Sequence, residues 1–474
     1  MKKLLFLFLI FCFSLSAFAQ KPALLNLKYE QNYSPTYCET IEMFQLLDKH
    51  YENAILLEKG LTDCGKPLHL FVINSEPEFN PVKIKEQGKS VLLINNGIHA
   101  GEPEGIDASL WFADDILRNK DGMAKLLEKT VIIIIPVYNI GGHLNRSAYN
   151  RSGQTTPYET GFRGNYANYD LNRDFTKSDS ENARSFSKIF TEWNPDVFLD
   201  THTTNGSDHQ YSITLIPPAP ALYPPVMEKF IRNKLVPDLY SGMKKGDYEL
   251  IPYVNYIFND PKQGIAATHE GPRYSSGFAS TFHSYGMMTE NQIYRKFPDR
   301  VKSCYQFIRV LAEFTAENSE AIKKSRLDGI RESMKLNEYP VAYKLDTTKF
   351  QMIEFKGFEV DEKQISLVTG LPRFGYDLNK PYTETIKFFD TYIPTEKIEV
   401  PEMYILPQSY RDVIERLDIT GVSYSRLKND TLIDVTVDYI DEFTSPPRPY
   451  NGHFYHDKVT TRSEKQKIQY YAGD

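Results

Sequence analysis

The chain reads as an α/β protein built on a largely parallel sheet, followed by a smaller β-rich portion. Three observations predict this. Four short apolar runs, at 91–94, 131–135, 197–199 and 285–288, each stop at a polar cluster. Runs that are apolar throughout suit strands buried on both faces, as in a parallel sheet covered by helices. Stretches with helical spacing of apolar residues alternate with these runs, the order expected of an α/β layer structure. Beyond about residue 340 the composition shifts to β-branched and aromatic residues with frequent Pro and Asp, and alternating stretches such as 432–437 replace the continuous runs.

The elements follow in order. Residues 20–34 form an extended lead-in. Ile41, Phe44, Leu46 and Leu47 place a short helix over 38–51. Residues 54–57 and 68–73 read as a strand pair, with the turn at 63–67 carrying Gly65 and Pro67. The run at 91–94 is a buried strand and 103–117 a helix. The run at 131–135 is the next strand. Residues 141–170 are polar and rich in Gly, Asn, Tyr and Arg, and a loop of that length inside a compact domain is usually functional. A helix over 178–193 leads to the strand at 197–199. A Pro-rich surface turn at 217–225 precedes a helix to about 239. After the run at 285–288, residues 299–335 are helical, with Phe307, Val310, Leu311 and Phe314 in register. No internal repeat or low-complexity tract is present. The sequence stops at Tyr470-Tyr471-Ala472-Gly473-Asp474 without a clear terminating element, as a fragment would.

Length and charge narrow the class. With 474 residues and 41% hydrophobic content, the chain holds more than one domain. The leader pattern and the change of composition divide it into a leader at 1–19, a main domain at 20–335 and an accessory β-rich domain at 336–474. A net charge of -7 gives nucleic acid or anionic membrane nothing to bind. Lys2 and Lys3, an apolar core at 4–15 and the small residues Ala17 and Ala19 before Gln20 form a secretory signal peptide cleaved after Ala19. The apolar stretch is shorter than the ~20 residues that span a bilayer, so an N-terminal anchor is disfavoured. The mature protein is therefore expected in the periplasm or secreted, with no stable membrane insertion. Cys12 leaves with the leader. Cys38, Cys64 and Cys304 remain, an odd count that allows one disulfide at most. Cys38–Cys64 in an oxidising compartment and three reduced thiols are equally open readings. Nothing in the sequence speaks to oligomeric state.

The polar clusters carry the chemistry. Ligand sites of open α/β sheets gather at the carboxyl ends of the strands, where each cluster lies. After the first run come Asn95, Asn96, Gly97, His99, Gly101 and Glu102. After the second come Pro136, Tyr138 and Asn139. After the third come Asp200, Thr201 and His202, and after the fourth Thr289 and Glu290. An isolated His-x-x-Glu pair is a weak signal. Here Gly97 and Gly101 permit a tight turn and Pro103 suits the first turn of a helix, so His99 and Glu102 can face one way. His202 is the best third ligand. Two His and one carboxylate form a catalytic zinc set, and Glu290 is left over as a candidate general base.

The set His99-x-x-Glu102, then Asp170, Leu171, Asn172, Arg173, Asp174 and Phe175, then His202 and Glu290 resembles the carboxypeptidase A-like zinc carboxypeptidases over about residues 36–320. The resemblance implies a three-layer α/β/α sandwich around a mixed, mostly parallel sheet. It implies that Zn2+ is held by His99, Glu102 and His202, that Glu290 is the base, and that Asn172 and Arg173 hold the terminal carboxylate of a peptide or peptide-like substrate. An upstream Arg stabilises the oxyanion in that family. Arg151 is preferred on its spacing to Asn172, with Arg146 and Arg163 as alternatives. Tyr274 matches the family's mobile-loop Tyr, though it lies closer to Glu290 than the pattern has it. The segments at 269–274 and 201–206 depart from the digestive members, so the substrate pocket differs from theirs. A metallocarboxypeptidase is the expectation. A zinc amidohydrolase or deacylase, or a cell-wall peptide hydrolase, on the same site is the first rival, and a non-catalytic binding protein the second.

Overall fold

The computed structural model describes residues 22–204, 206–256, 260–361, 365–371 and 375–474. The leader at 1–19 lies outside the described residues. A helix at Tyr37–His50 opens on a reciprocal capping box between Thr36 and Glu39. The strands β1 (Ala54–Leu61) and β2 (Pro67–Ile73) then pair antiparallel, as the sequence predicts. The remaining strands up to residue 291 are β3 (Ser90–Asn96), β4 (Thr130–Ile135), β5 (Val197–Thr203), β6 (Ile213–Ile216), β7 (Leu250–Pro252), β8 (Asn255–Tyr256), β9 (Ile265–Ala266) and β10 (Tyr285–Asn291). Eight of them form one sheet in the order β1-β2-β4-β3-β5-β10-β6-β7. At its centre β4, β3, β5 and β10 run parallel. β2 and β6 close this block antiparallel on either side.

Alternation along the central strands supplies both faces of the sheet. Leu92 and Ile94 of β3, with Ile132 and Ile134 of β4, join a core that includes Phe44 and Leu47 of the first helix, Ile106 of the helix Glu104–Leu117 and Phe307 of the helix Phe297–Glu317. Val91 and Leu93, with Val131, Ile133 and Ile135, face the other way onto Phe186, Phe190 and Trp193 of the helix Glu181–Trp193 and Phe278 of the helix Ser275–Thr281. The continuous apolar runs thus fill two cores, and the three-layer architecture follows.

Several elements differ in detail from the sequence reading. The helical stretch expected over 299–335 is two helices, Phe297–Glu317 and Ser319–Ser333, divided at Asn318. The helix expected from 178 starts at Glu181, because the Ser180 hydroxyl accepts the Ala183 N–H as its cap. The helix after the Pro-rich turn is interrupted by a π-turn at Ile231–Leu235. Of the two readings of the cysteines, the structure has three unpaired thiols, at Cys38, Cys64 and Cys304. Among the described residues no helix is long and apolar enough to cross a membrane.

The portion after 336 is β-rich. β11 (Glu338–Leu345) pairs with β14 (Tyr392–Glu399). β12 (Gln351–Asp361) and β13 (Gly375–Phe389) form a hairpin that β9 and β8 extend into a four-stranded sheet. Phe355, Ile386 and Phe388 share a third core with Tyr211, Ile251 and Ile265. The later segment is therefore welded to residues 209–266 of the α/β part. β15 (Thr431–Thr444) and β16 (Asp457–Tyr470) form a long two-stranded ribbon.

Candidate metal centre

The parallel block brings three strand ends side by side. Asn96 of β3 lies opposite Thr201 of β5, and His202 of β5 lies opposite Glu290 of β10. The chain leaves β3 through Gly97, whose φ of 69° is the left-handed conformation glycine adopts without cost. The end of β4 supports this turn. Tyr138 donates its N–H to the Asn96 carbonyl at 2.8 Å, and the Asn139 amide reaches the Ile98 carbonyl at 3.2 Å. Gly105 lets the following helix start directly against β5, since a Cβ there would overlap the Thr201 side chain.

The outcome is a buried cluster of His99, Glu102 and His202, with one ligand atom from each lying within 4.8 Å of the others. The two histidines are fixed alike. His202 Nε2 donates to Asp200 Oδ2 at 2.9 Å, and His99 Nε2 donates to Asp170 Oδ1 at 3.1 Å. Each ring therefore directs Nδ1 into the cluster, and Asp200 with Glu102 holds the His202 pKa well above the usual imidazole range against the effect of burial. The two Nδ1 atoms lie 3.2 Å apart, and His202 Nδ1 is 3.1 Å from Glu102 Oε2. Two imidazole nitrogens and a carboxylate, each imidazole backed by a carboxylate, are the donor set and outer support of a zinc site. Burial raises the Glu102 pKa, but Arg151, His99 and His202 outweigh it and hold the carboxyl well below its usual range. The residues fit Zn2+.

Glu290 stands apart from the ligand cluster. It is half-buried, and among the described residues its carboxyl makes no hydrogen bond or ion pair. Burial pushes it up to about 8; His202 and Arg151 oppose this shift, and Glu102 adds to it.

The three candidate arginines separate cleanly. Arg146 anchors loops, donating to the carbonyls of Ser34, Pro35 and Glu159. Arg151, preferred on spacing, is paired with Glu102 of the cluster, on the same Oε1 that lies 3.2 Å from His99 Nδ1. It donates to Glu102 Oε1 at 2.5 Å and to the Thr203 carbonyl at 2.7 Å, with only 11% of its side chain exposed. Arg163 keeps 42% of its side chain exposed, pairs with Asp170 Oδ2 at 2.8 Å and lies 3.7 Å from Glu102 Oε1.

The predicted substrate residues lie together beside this cluster. Asp170 accepts the Asn172 N–H and so starts the 3-10 turn Leu171–Arg173. Asn172 is buried, and its side-chain oxygen accepts the Ser275 N–H at 3.0 Å. Arg173 lies 4.2 Å above the Tyr274 ring. Glu270, which the sequence reading did not single out, sits in the same region. It accepts the Ser276 hydroxyl at 2.9 Å, and burial pushes it up to about 7. Asp200 was overlooked as a partner, although it and His202 are two apart on one strand and so share a face. The tip joining β15 to β16 also reaches the site. Asn451 exchanges two hydrogen bonds of 3.3 Å with the Asp170 backbone, and His453 pairs with Asp179 at 2.7 Å.

Residues 40–206 match the zinc carboxypeptidase family model. A probable carboxypeptidase 2 of Arthroderma benhamiae is 20% identical over 406 residues, covering 79% of this chain and 67% of that protein. The carboxypeptidase 2 of Trichophyton rubrum is 21% identical over 403 residues, 79% of this chain and 66% of that protein. The chain thus spans about two thirds of the length of these relatives. Among solved structures, the carboxypeptidase A from Helicoverpa armigera is similar with a TM-score of 0.47 and 15% identity, over 63% of this chain and 76% of that one. A metallo-carboxypeptidase from Burkholderia cenocepacia gives a TM-score of 0.46 and 14% identity, over 60% and 70%. The stretch at 40–206, which holds His99, Glu102, Asn172, Arg173 and His202, is thus similar to the zinc carboxypeptidase family.

Proposed function

We propose that the protein is an exported carboxypeptidase that releases the terminal residue of a peptide or peptide-like substrate. The observation that carries this is an unpartnered carboxyl, Glu290, in register with His202 beside a buried His-Glu-His cluster. His99, Glu102 and His202 would hold Zn2+, which when bound polarises a scissile carbonyl and acidifies water. Glu290 then takes a proton from the attacking water and delivers it to the leaving amine. Its carboxyl ionises more readily once a cation fills the neighbouring cluster. Arg163, more open than Arg151, faces the developing oxyanion, while Arg151 fixes Glu102. Arg173 receives the terminal carboxylate through its planar fork. Asn172 holds the Ser275 backbone and thereby the Tyr274 segment beside it. The leader at 1–19 supports export, and N-terminal sequencing of the mature protein is expected to begin at Gln20.

The deciding experiment is Glu290→Gln. The variant should bind zinc normally and lose roughly 100-fold or more in turnover. Normal zinc with a normal rate would sink the role of Glu290, and lost zinc would make it a ligand. Arg173→Ala should cost roughly 30- to 1000-fold in kcat/KM on free C-termini and little on amidated ones. Equal losses on both would move an endopeptidase or deacylase reading ahead.

A further inference from the structure

We infer that Arg273 is a specificity-determining residue, and that the site is built for a terminal residue with an acidic side chain, its α-carboxylate on Arg173 and its side-chain carboxylate on Arg273. The inference rests on the carboxypeptidase reading proposed above.

The observation is a second guanidinium group without a counter-charge. Arg173 and Arg273 lie 4.2 and 5.2 Å from the centroid of one ring, Tyr274, and the sum of those distances bounds their separation. Arg273 Nη2 also donates to the Tyr274 hydroxyl at 3.2 Å. Among the described residues neither arginine makes an ion pair. The carboxyls that feel Arg173 are committed elsewhere. Asp170 is taken by His99 and Arg163. Glu270 accepts the Ser276 hydroxyl, and its raised pKa leaves it partly neutral at pH 7. Burial and Asp170 push the Tyr450 phenol up, while Arg173, Arg163 and Arg273 pull it back. Both arginines are half-buried. Holding two partly desolvated cations together is unfavourable unless anions complete them. One α-carboxylate completes one. A terminal Asp or Glu supplies the second on the same residue, a few bonds away.

A purely architectural role competes. Arg273 also lies 5.5 Å from the Tyr455 ring, so it could serve only to hold the β15–β16 tip against the core. The two roles predict different numbers. The test uses zinc-loaded full-length protein and blocked dipeptides ending in Glu, Gln, Leu or Lys with a free C-terminus. Wild type should favour Glu over its neutral isostere Gln by roughly 10- to 100-fold in kcat/KM. Arg273→Gln should bring that ratio near one. Arg273→Glu should raise the Lys-terminated substrate above the Glu-terminated one. Tyr455→Ala, which breaks the stack and keeps the charge, should preserve the wild-type ratio, with thermal melting reporting the folding of each variant. A wild type that treats Glu and Gln alike, or an Arg273→Gln variant that keeps the wild-type ratio, overturns the inference and leaves carboxypeptidase action standing. Release of no terminal residue from any of the four would instead fail the carboxypeptidase reading itself.

Discussion

The central sheet and the C-terminal ribbon are both rich in β-branched residues, yet they are opposite kinds of structure. All seven residues of β5 are buried, whereas β15 has none buried over fourteen. In β5 apolar side chains occupy both faces, because each face meets a helical layer. In β15 only Ile433, Val435 and Val437 are half-buried, at alternate positions along one face. The difference decides where chemistry is possible. Strand ends that emerge from a doubly covered sheet are dry, so His99, Glu102 and His202 converge where charges act strongly. A two-stranded ribbon is marginal by itself. It can offer such a site only a loop, which is what the tip at 445–456 does.

The comparison breaks most directly through stability. Phe198 of β5 is fully buried, in contact distance of Phe186 and Phe190. Phe198→Ala should cost about 3–5 kcal/mol, through lost transfer energy and the cavity left behind. Ile440 of β15 is 65% exposed. Ile440→Ala should stay within about 0.5 kcal/mol. Denaturant titration measures both, and comparable losses would show that the ribbon carries core energy after all.

Acid should test the sheet side of the contrast, because the α/β part buries two histidines whose pKa values burial lowers. His143 follows β4 in the α/β part. It is fully buried with neither ring nitrogen paired, and burial, helped by Arg146, pushes it down to about 3. His209 lies at the weld, bridged to Gly357 of β12, and burial, helped by Arg295, also pushes it down to about 3. In the unfolded chain both titrate near 6.5. The unfolded state therefore binds more protons below that value, so stability is full above pH 6.5 and falls as pH drops toward 3. His143→Met should flatten this decline in metal-free protein, read as melting temperature against pH. A slope identical to wild type would mean that His143 does not stay neutral in the fold.

A smaller effect tests how the site is held. Asp170 orients His99 from behind, and Asp170→Asn keeps its shape while removing the charge. Zinc affinity should weaken roughly 10- to 100-fold with the fold intact. Unchanged affinity in a metal-buffered titration would mean that the Asp170 contact does not orient the ligand.

The sequence pointed to the candidate site far better than to what supports it. His99, Glu102 and His202, with Glu290 beside them, stood out because each follows an apolar run at a strand end, a local signal with a physical cause. Asp170 stands 71 positions from His99, and no spacing rule links them. The choice among Arg146, Arg151 and Arg163 turned on a loop without periodicity, and spacing to Asn172 says nothing of the ion pair between Arg151 and Glu102. The fold of the α/β part was legible for the same reason as the ligands. The weld between β12–β13 and β8–β9 was not, since two-residue strands carry no pattern.

The smallest expected effect asks whether the ribbon acts on the chemistry at all. Asn451 joins the tip to Asp170 through two backbone hydrogen bonds of 3.3 Å, long enough to be weak. Each contributes about 0.5–1.5 kcal/mol at most in this half-buried setting. Neither touches the Asp170 carboxylate, which His99 and Arg163 hold. Asn451→Ala should therefore change zinc affinity by no more than about threefold, and stability by about 1 kcal/mol. The same metal-buffered titration, run beside Asp170→Asn, makes the reading direct. If Asn451→Ala weakens zinc as much as Asp170→Asn does, the ribbon tip fixes the Asp170 backbone tightly enough to orient His99. The C-terminal portion would then be part of the metal centre and not a neighbour of it.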